Sequence, residues 1–184
     1  MNAPVRIPPP TDVFFSTSPI DPLAQPLVQD LIREYDGRYG DVPGRDPAVV
    51  ELHRYAPELF LPPRGNFLLL LRDGEAIAGG AFMPHAEEGT AEIKRVWSRR
   101  DLRRQGLAAR IVVELERLAL QQGYANLYLT TGSRQPEAVG LYLSLGYEPQ
   151  FDLNVDSTQF SLLPFRKRLA ATESPIAEAF AVSA

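Results

Sequence analysis

Basic side chains concentrate in one short segment of this 184-residue chain. Seven of the 19 lysines and arginines fall between Lys94 and Arg110, where only Asp101 is acidic. Gly106 and Ala108 lie in the same segment, at the start of a stretch with apolar residues at helical spacing. Backbone N–H groups at a helix start lack intrahelical partners, and the helix dipole adds partial positive charge there. Because glycine lets a ligand approach the backbone closely, the segment predicts a phosphate or pyrophosphate site.

Other motifs for phosphate binding and nucleophilic catalysis are absent from the sequence. Neither lysine, Lys94 or Lys167, follows a glycine, which excludes a P-loop. No Gly-x-Gly or Gly-x-Ser-x-Gly occurs, which excludes a Rossmann fingerprint and a nucleophile elbow. With no cysteine, and with His53 and His85 far apart, we predict no metal site. A solvated basic loop before an amphipathic helix is the alternative reading of the arginine cluster.

A single α/β domain with a mixed sheet flanked by helices is predicted from the order of elements. Asp73-Gly74 is a two-residue hairpin signal between two apolar strands. We expect residues 11–169 to form the domain, between an extended tail at 1–10 and an Ala-rich tail at 170–184. The predicted strands cover 13–17, 66–72, 75–83, 90–98, 127–130, 147–152 and 159–168, and the predicted helices cover 23–35, 46–56, 106–122 and 136–145.

The net charge and the hydropathy of the chain limit the classes of partner that it is expected to bind. A net charge of −4 and a pI near 5.3 argue against general nucleic-acid binding. The apolar runs are too short to span a bilayer, and the first residues lack the apolar core of a secretory signal. We therefore expect a cytoplasmic protein with no membrane or nucleic-acid partner. The first two predicted helices carry acids that suit either a cationic amine or a solvated face: Asp30, Glu34, Asp36, Asp41, Asp46 and Glu51.

Two motifs give the chain a family resemblance. The hexapeptide at 103–108, Arg-Arg-Gln-Gly-Leu-Ala, matches the Q/R-x-x-G-x-G/A signature of the GNAT family of N-acetyltransferases. It follows a strand with the pattern Glu-Ile-x-x-Val and opens a long amphipathic helix. The segment 138–147 is similar to the family's A-x-x-L-Y-x-x-x-G-F/Y pattern. The resemblance covers residues 66–168 and implies a GNAT-type twisted sheet that binds acetyl-CoA.

The resemblance implies that the backbone holds most of the cofactor. The fourth and fifth strands would part, and the backbone beside that gap would pair with the pantetheine arm like an added strand. N–H groups of residues 103–108 would hold the pyrophosphate. Gln135 stands where many members carry Asn; capping the helix that begins at Pro136 is an equal alternative for it. The implied cofactor-binding residues are Val96, Trp97, Ser98, Arg103, Arg104, Gln105, Gly106, Leu107, Ala108 and Gln135.

The resemblance assigns chemistry to Tyr142 and Glu92. Tyr142 would protonate the departing thiolate, since a phenol with a pKa near ~10 suits a thiolate with a pKa of roughly 8.5–9. Glu92 matches the general-base position of histone-acetylating members. The alternatives are a packed aromatic ring for Tyr142 and a strand carboxylate paired with a neighbouring arginine for Glu92.

The implied activity is transfer of an acetyl group from acetyl-CoA to a primary amine of a small molecule or peptide. The absence of cysteine favours direct transfer in a ternary complex. A catalytically silent acyl-CoA-binding module and a protein-interaction module of the same fold are the alternatives. The apolar residues of the C-terminal tail suggest a homodimer as one arrangement.

Overall fold

The computed structural model describes residues 11–156 and 160–170. Its strands are β1 (Asp12–Thr17), β2 (Asn66–Arg72), β3 (Glu75–Pro84), β4 (Thr90–Ser98), β5 (Asn126–Gly132), β6 (Glu148–Pro149) and β7 (Leu162–Arg168). Its helices are α1 (Gln25–Tyr39), α2 (Ala48–His53), α3 (Leu107–Gln121) and α4 (Pro136–Ser144). The seven strands form one sheet in the order β1-β2-β3-β4-β5-β7-β6. The β4–β5 pair is parallel and the other pairs are antiparallel, so the predicted mixed sheet is confirmed.

The central strands are buried on both faces because helices cover each face. Successive residues of a strand point to opposite faces. Leu68 and Leu70 of β2 therefore pack in the cluster that contains α3, whereas Phe67 and Leu69 pack in the cluster that contains α1. The hairpin between β2 and β3 turns at Asp73-Gly74, as predicted, with positive φ at both residues.

The parallel pair opens after a short ladder. β4 and β5 pair only from Thr90 opposite Asn126 to Glu92 opposite Tyr128, and the strands then separate. Between Lys94 and Trp97 the register of β4 against β3 shifts by one residue, and Arg95 has a φ of 60°. An extra residue of this kind is a β-bulge, which bends the strand and redirects its side chains. The resulting gap between the fourth and fifth strands is the one that the family resemblance implies.

The end predicted for the first helix is wrong. We expected glycine to close it after Tyr35, but α1 continues through Gly37 to Tyr39. Tyr39 is buried, and its hydroxyl accepts a hydrogen bond from the Arg134 N–H at 3.1 Å. This contact anchors a further turn of helix, which offsets the cost of a glycine in its interior.

The second helix is shorter than predicted. Asp46 pairs with Arg54 at 3.0 Å instead of capping the helix, and the Ala48 N–H donates to the Asp36 carboxylate at 3.0 Å. The helix ends at His53, and a separate 3-10 turn covers Pro57–Phe60.

The last two strands are also shorter than predicted, since β6 has two residues and β7 starts at Leu162. Residues 157–159 and both predicted tails, apart from residue 170, lie outside the described residues. None of the helices within 11–156 and 160–170 is both long and apolar enough to cross a membrane.

Candidate active site

A cleft of about 360 Å³ opens where β4 leaves β5, beside the first turns of α3 and α4. Every residue that the resemblance assigns to cofactor binding lines this cleft except Gln105, which is exposed outside it. Trp97 contributes through its backbone position, because its ring is buried in the core and its Nε1–H donates to Asp30 at 3.1 Å. The cleft thus gathers residues from three separate segments of the chain.

The N-terminus of α3 forms the wall of the cleft that suits an anion. Gly106 occupies the N-cap position with a φ of 72°, and no side chain of the described residues caps the helix there. The Arg110 N–H donates to the Gly106 carbonyl at 3.0 Å, so the N–H groups of Leu107 to Ala109 precede the first helical bond. The first turn has no acid, and a Cβ built on Gly106 meets nothing within 4 Å. The site therefore has the donors and the open approach that a pyrophosphate needs.

Two of the arginine side chains around this helix start bind acids of α1 and β1. Arg103 binds Glu34 of α1 at 2.5 Å, and Glu34 also binds Arg38 at 3.0 Å. Arg110 pairs with Asp12 of β1. Arg104 also lines the cleft and has no carboxylate within 4.0 Å in the part of the chain that the structure describes, so both its guanidinium and the first N–H groups of α3 are open to an anion.

Tyr142 lies at the inner end of the cleft. Its ring is 6% exposed and packs against Tyr147 and Phe165, with ring centroids 5.6 and 5.7 Å away. Burial raises the pKa of the Tyr142 phenol above its ordinary value, so the hydroxyl keeps its proton throughout the neutral range. A protonated phenol in this position can donate a hydrogen bond or a proton to a group in the cleft.

A second cavity of about 340 Å³ lies beyond the gap between β4 and β5. A smaller cavity of about 90 Å³, here called the passage, lies between the two, since it shares Val96 and Tyr142 with the cleft and Tyr35, Glu51 and Arg95 with the second cavity. The three spaces therefore follow one another along the strand gap. Tyr142 lines both the cleft and the passage.

Glu92 belongs to the second cavity and lines neither the cleft nor the passage. It is the last residue of β4 that pairs with β5, and its carboxylate accepts from Lys94 Nζ at 2.7 Å. The structure thus does not bring Glu92 beside Tyr142. Its neighbour in the ion pair is a lysine and not the arginine that the sequence suggested.

Glu51 of α2 lines both the passage and the second cavity. Its carboxylate is 2.9 Å from Arg45. Sequence reasoning grouped Glu51 with five other helix acids, because nothing in the spacing of α2 distinguishes the face that meets the strand gap.

Gln135 occupies the N-cap position of α4, but its side chain does not cap that helix. Its Oε1 accepts from the Thr131 hydroxyl and the Gly132 N–H, both at 3.3 Å. Gln135 therefore ties the start of α4 to the end of β5 and lines the cleft and the passage at the same time.

A sequence profile described as the Acetyltransferase (GNAT) family matches residues 25–147. The chain belongs to the GNAT family. It is 25% identical over 130 residues to the uncharacterized N-acetyltransferase YjgM of Escherichia coli K12, an alignment that covers 67% of this chain and 75% of that protein.

Solved structures of GNAT proteins share the fold of this chain. A GNAT acetyltransferase of Staphylococcus aureus Mu50 superposes with a TM-score of 0.66 at 11% identity, over 87% of this chain and 100% of that one. The PaiA N-acetyltransferase of Thermoplasma acidophilum, solved in complex with coenzyme A, superposes with a TM-score of 0.64 at 14% identity, over 86% and 99%. The fold and family expected from the two motifs are confirmed.

Proposed function

We propose that this GNAT acetyltransferase moves an acetyl group from acetyl-CoA to a primary amine, directly and within a ternary complex. The observation that carries the proposal is the series of three neighbouring cavities, which runs from the start of α3 to the second cavity, with Tyr142 lining the first two. Two ligands that enter from opposite ends of this line meet at the strand gap. The coenzyme A complex of the PaiA enzyme supports the choice of cofactor.

The residues of the cleft fit coenzyme A. The N–H groups at the start of α3 would bind its pyrophosphate. The backbone of Val96 and Ser98 lies on the part of β4 that has left β5, where an extended pantetheine arm can take the place of the missing strand. When bound, acetyl-CoA supplies an acyl group activated as a thioester.

The reaction needs two proton movements, and the site offers groups for both. The amine nitrogen forms the new C–N bond and loses a proton, and the C–S bond breaks as the sulfur gains one. Tyr142 would donate the second proton, because burial keeps its phenol protonated and a thiolate in the same dry cleft is also a stronger base than in water.

For the first proton, Glu51 is the better placed carboxylate, since it lines the passage beside Tyr142. Glu92, which the family resemblance favours, lines only the second cavity, and each of the two carboxylates binds one cation, Lys94 for Glu92 and Arg45 for Glu51. Both carboxylates remain candidates for the base, and the comparison of their glutamine variants below decides between them.

A thiol-release assay with acetyl-CoA and a panel of amines tests the proposal, with mass spectrometry of each product for the added acetyl group. We expect amine-dependent thiol release from the wild-type protein. Coenzyme A binding without amine-dependent release would instead identify a silent acyl-CoA-binding module. No coenzyme A binding would favour the protein-interaction alternative.

A further inference from the structure

We infer that the acceptor amine also carries a carboxylate, which binds the guanidinium of Arg95, so that small amino acids are the acceptor class. This inference rests on the proposed function for the role of the second cavity. It is drawn from the charged side chains that line that cavity, because one of them, Arg95, has no carboxylate partner among the described residues.

Arg95 stands at the β-bulge of β4 with a φ of 60°, a backbone conformation that costs energy for any residue with a Cβ. Arg95 lines both the passage and the second cavity, and its side chain is partly buried. The guanidinium lies 4.4 Å from the ring centroid of Phe60, and its Nη2 donates to the Leu52 carbonyl. Within residues 11–156 and 160–170, no carboxylate lies within 4.0 Å of it.

The other cations around these cavities are paired. Lys94 binds Glu92 at 2.7 Å, Arg45 binds Glu51 at 2.9 Å, and Arg54 binds Asp46 at 3.0 Å. Burial lowers the pKa of Arg95 to about 10, which reports the cost of holding its charge away from water. The group is still cationic at neutral pH, and its forked N–H donors match a carboxylate in a bidentate arrangement.

A singly charged anion suits this place better than a phosphate. One guanidinium without an ion-pair partner is available, since the other cations around the cavity already bind carboxylates, so a second negative charge on the ligand would find no partner. Glu51 and Glu92 each use one carboxylate oxygen in their ion pairs, so the other oxygen can accept a hydrogen bond from an ammonium group. A zwitterion with its carboxylate at Arg95 and its nitrogen towards Tyr142 therefore satisfies both charges, and a cavity of about 340 Å³ is large enough for a small ligand.

The competing explanation is structural, because Arg95 also joins β4 to α2 through Leu52 and packs on Phe60. The test therefore compares acceptors as well as variants. Each common amino acid is assayed beside its carboxamide and the amine that lacks the carboxylate, with acetyl-CoA held at saturation. We expect wild-type kcat/KM for the preferred amino acid to exceed that for its carboxamide by about 10- to 100-fold, as for a desolvated charge pair.

Arg95→Met retains packing on Phe60 but removes the charge. It should raise KM for the amino acid by about the same factor and leave the carboxamide and the simple amine unchanged. Arg95→Lys, which keeps a charge without the fork, should restore part of the preference. Arg117→Gln is the matched control, since Arg117 pairs with Glu114 on α3 and lines none of the three cavities. Melting temperatures identify any variant that has lost its fold.

Three results would overturn the inference. If the wild-type protein acetylates the carboxamide as well as the amino acid, the inference is overturned and the proposed function still stands. Equal loss of all three acceptors in a folded Arg95→Met protein would assign Arg95 a structural role. If no amine is acetylated, the proposed function fails, and the inference is then judged by the melting temperature of the coenzyme A complex with amino acids: a rise that Arg95→Met removes supports it, and no rise overturns it.

Discussion

Tyr142 is held in place by ring packing against Tyr147 and Phe165, so its hydroxyl can be removed without disturbing its position. If that hydroxyl protonates the sulfur, Tyr142→Phe should lower kcat by roughly 10²–10⁴-fold, the usual contribution of general acid catalysis. The dissociation constant of coenzyme A should change little. Steady-state kinetics and calorimetric titration measure the two quantities.

Tyr124→Phe is the control for the loss of a phenol. The Tyr124 hydroxyl donates to the Arg64 carbonyl at 2.7 Å and lines none of the three cavities. Its removal should cost about 1 kcal/mol of stability and leave kcat unchanged. A Tyr142→Phe enzyme with full activity would show that water or another acid protonates the thiolate.

We expect the glutamine variants of Glu51 and Glu92 to differ in how kcat/KM depends on pH. Because Glu51 lines the passage and Glu92 lines only the second cavity, we expect Glu51→Gln to remove the limb on which kcat/KM rises with pH, since glutamine keeps the size of glutamate but accepts no proton from the amine. Glu92→Gln should preserve the shape of that profile, since a carboxylate that does not line the passage takes no proton from the amine there. Profiles for two amines of different pKa complete the measurement.

If Glu92→Gln removes the rising limb and Glu51→Gln preserves it, Glu92 is the base, in agreement with the family resemblance. A profile that follows the pKa of the amine in all three proteins would exclude both carboxylates, since the amine would then lose its proton in solution before it binds.

Single residues differ in how far the sequence could reveal them. Tyr142 and Gly106 lie in motifs, and their positions at the gap follow from the elements that carry those motifs. Arg95 had no such signal, because its direction depends on a bulge and a positive φ within a run that reads as an ordinary strand. Its missing ion pair is a property of three-dimensional packing and becomes visible only in the structure.

At the scale of elements, we expect the pyrophosphate of the cofactor to bind at the start of α3, and substitutions at Gly106 test this. A Cβ at Gly106 meets open space, so Gly106→Glu would place a carboxylate where we expect the pyrophosphate. We expect it to abolish detectable coenzyme A binding in a calorimetric titration. Gly106→Ala has the same strain at a φ of 72° but no charge, and it should lose at most about 1–2 kcal/mol of stability while still binding. Equal binding by both variants would place the pyrophosphate elsewhere.

The edge strand β1 is fastened to the molecule by ion pairs. Asp12 binds Arg72 of β2 at 2.7 and 3.0 Å and also pairs with Arg110 of α3, and these cations hold its pKa well below the ordinary range. A lowered pKa in the folded state adds stability above the unfolded pKa near ~3.9, and that stability is lost as the pH falls below it. Asp12→Asn should therefore cost at most about 1 kcal/mol at pH 7.

Melting temperatures of the wild type and Asp12→Asn at pH 7, 5 and 3 measure this contribution. The difference between the two proteins should be similar at pH 7 and 5 and smaller at pH 3. A difference that does not change with pH would show that the Asp12 carboxylate is as acidic in the folded protein as in the unfolded chain.

Element boundaries were predictable where local signals act alone, and less so where distant contacts decide them. The Asp73-Gly74 hairpin and the start of α4 at Pro136 follow from local backbone preferences. The extra turn of α1 depends on the contact between Tyr39 and Arg134, which lie 95 positions apart in the chain. Local sequence patterns cannot anticipate such a contact, and for this reason the predicted helix stops at Tyr35, before the first glycine.

For the whole molecule, the same gap that interrupts the sheet connects its two faces. The two hydrophobic clusters lie on opposite sides of the strands, one under α3 and one under α1, and together they hold β4 in place after it leaves β5. A sheet with full pairing at this point would keep the cleft and the second cavity apart. The mixed sheet was predictable from the order of elements, whereas the cavity line depends on how far β4 and β5 diverge.

The response of global stability to coenzyme A distinguishes the activities that this architecture allows. A ligand that binds only the folded state at 100 times its dissociation constant adds about 2.7 kcal/mol. In a chain of this size that corresponds to a rise in melting temperature of about 5–10 °C. We expect this rise for the wild type and for Tyr142→Phe, because the phenol is not needed for binding, and none for Gly106→Glu. A rise in Tyr142→Phe together with lost turnover separates chemistry from binding. The absence of any rise in the wild type would leave the basic segment as a protein-interaction surface and would contradict the proposed cofactor.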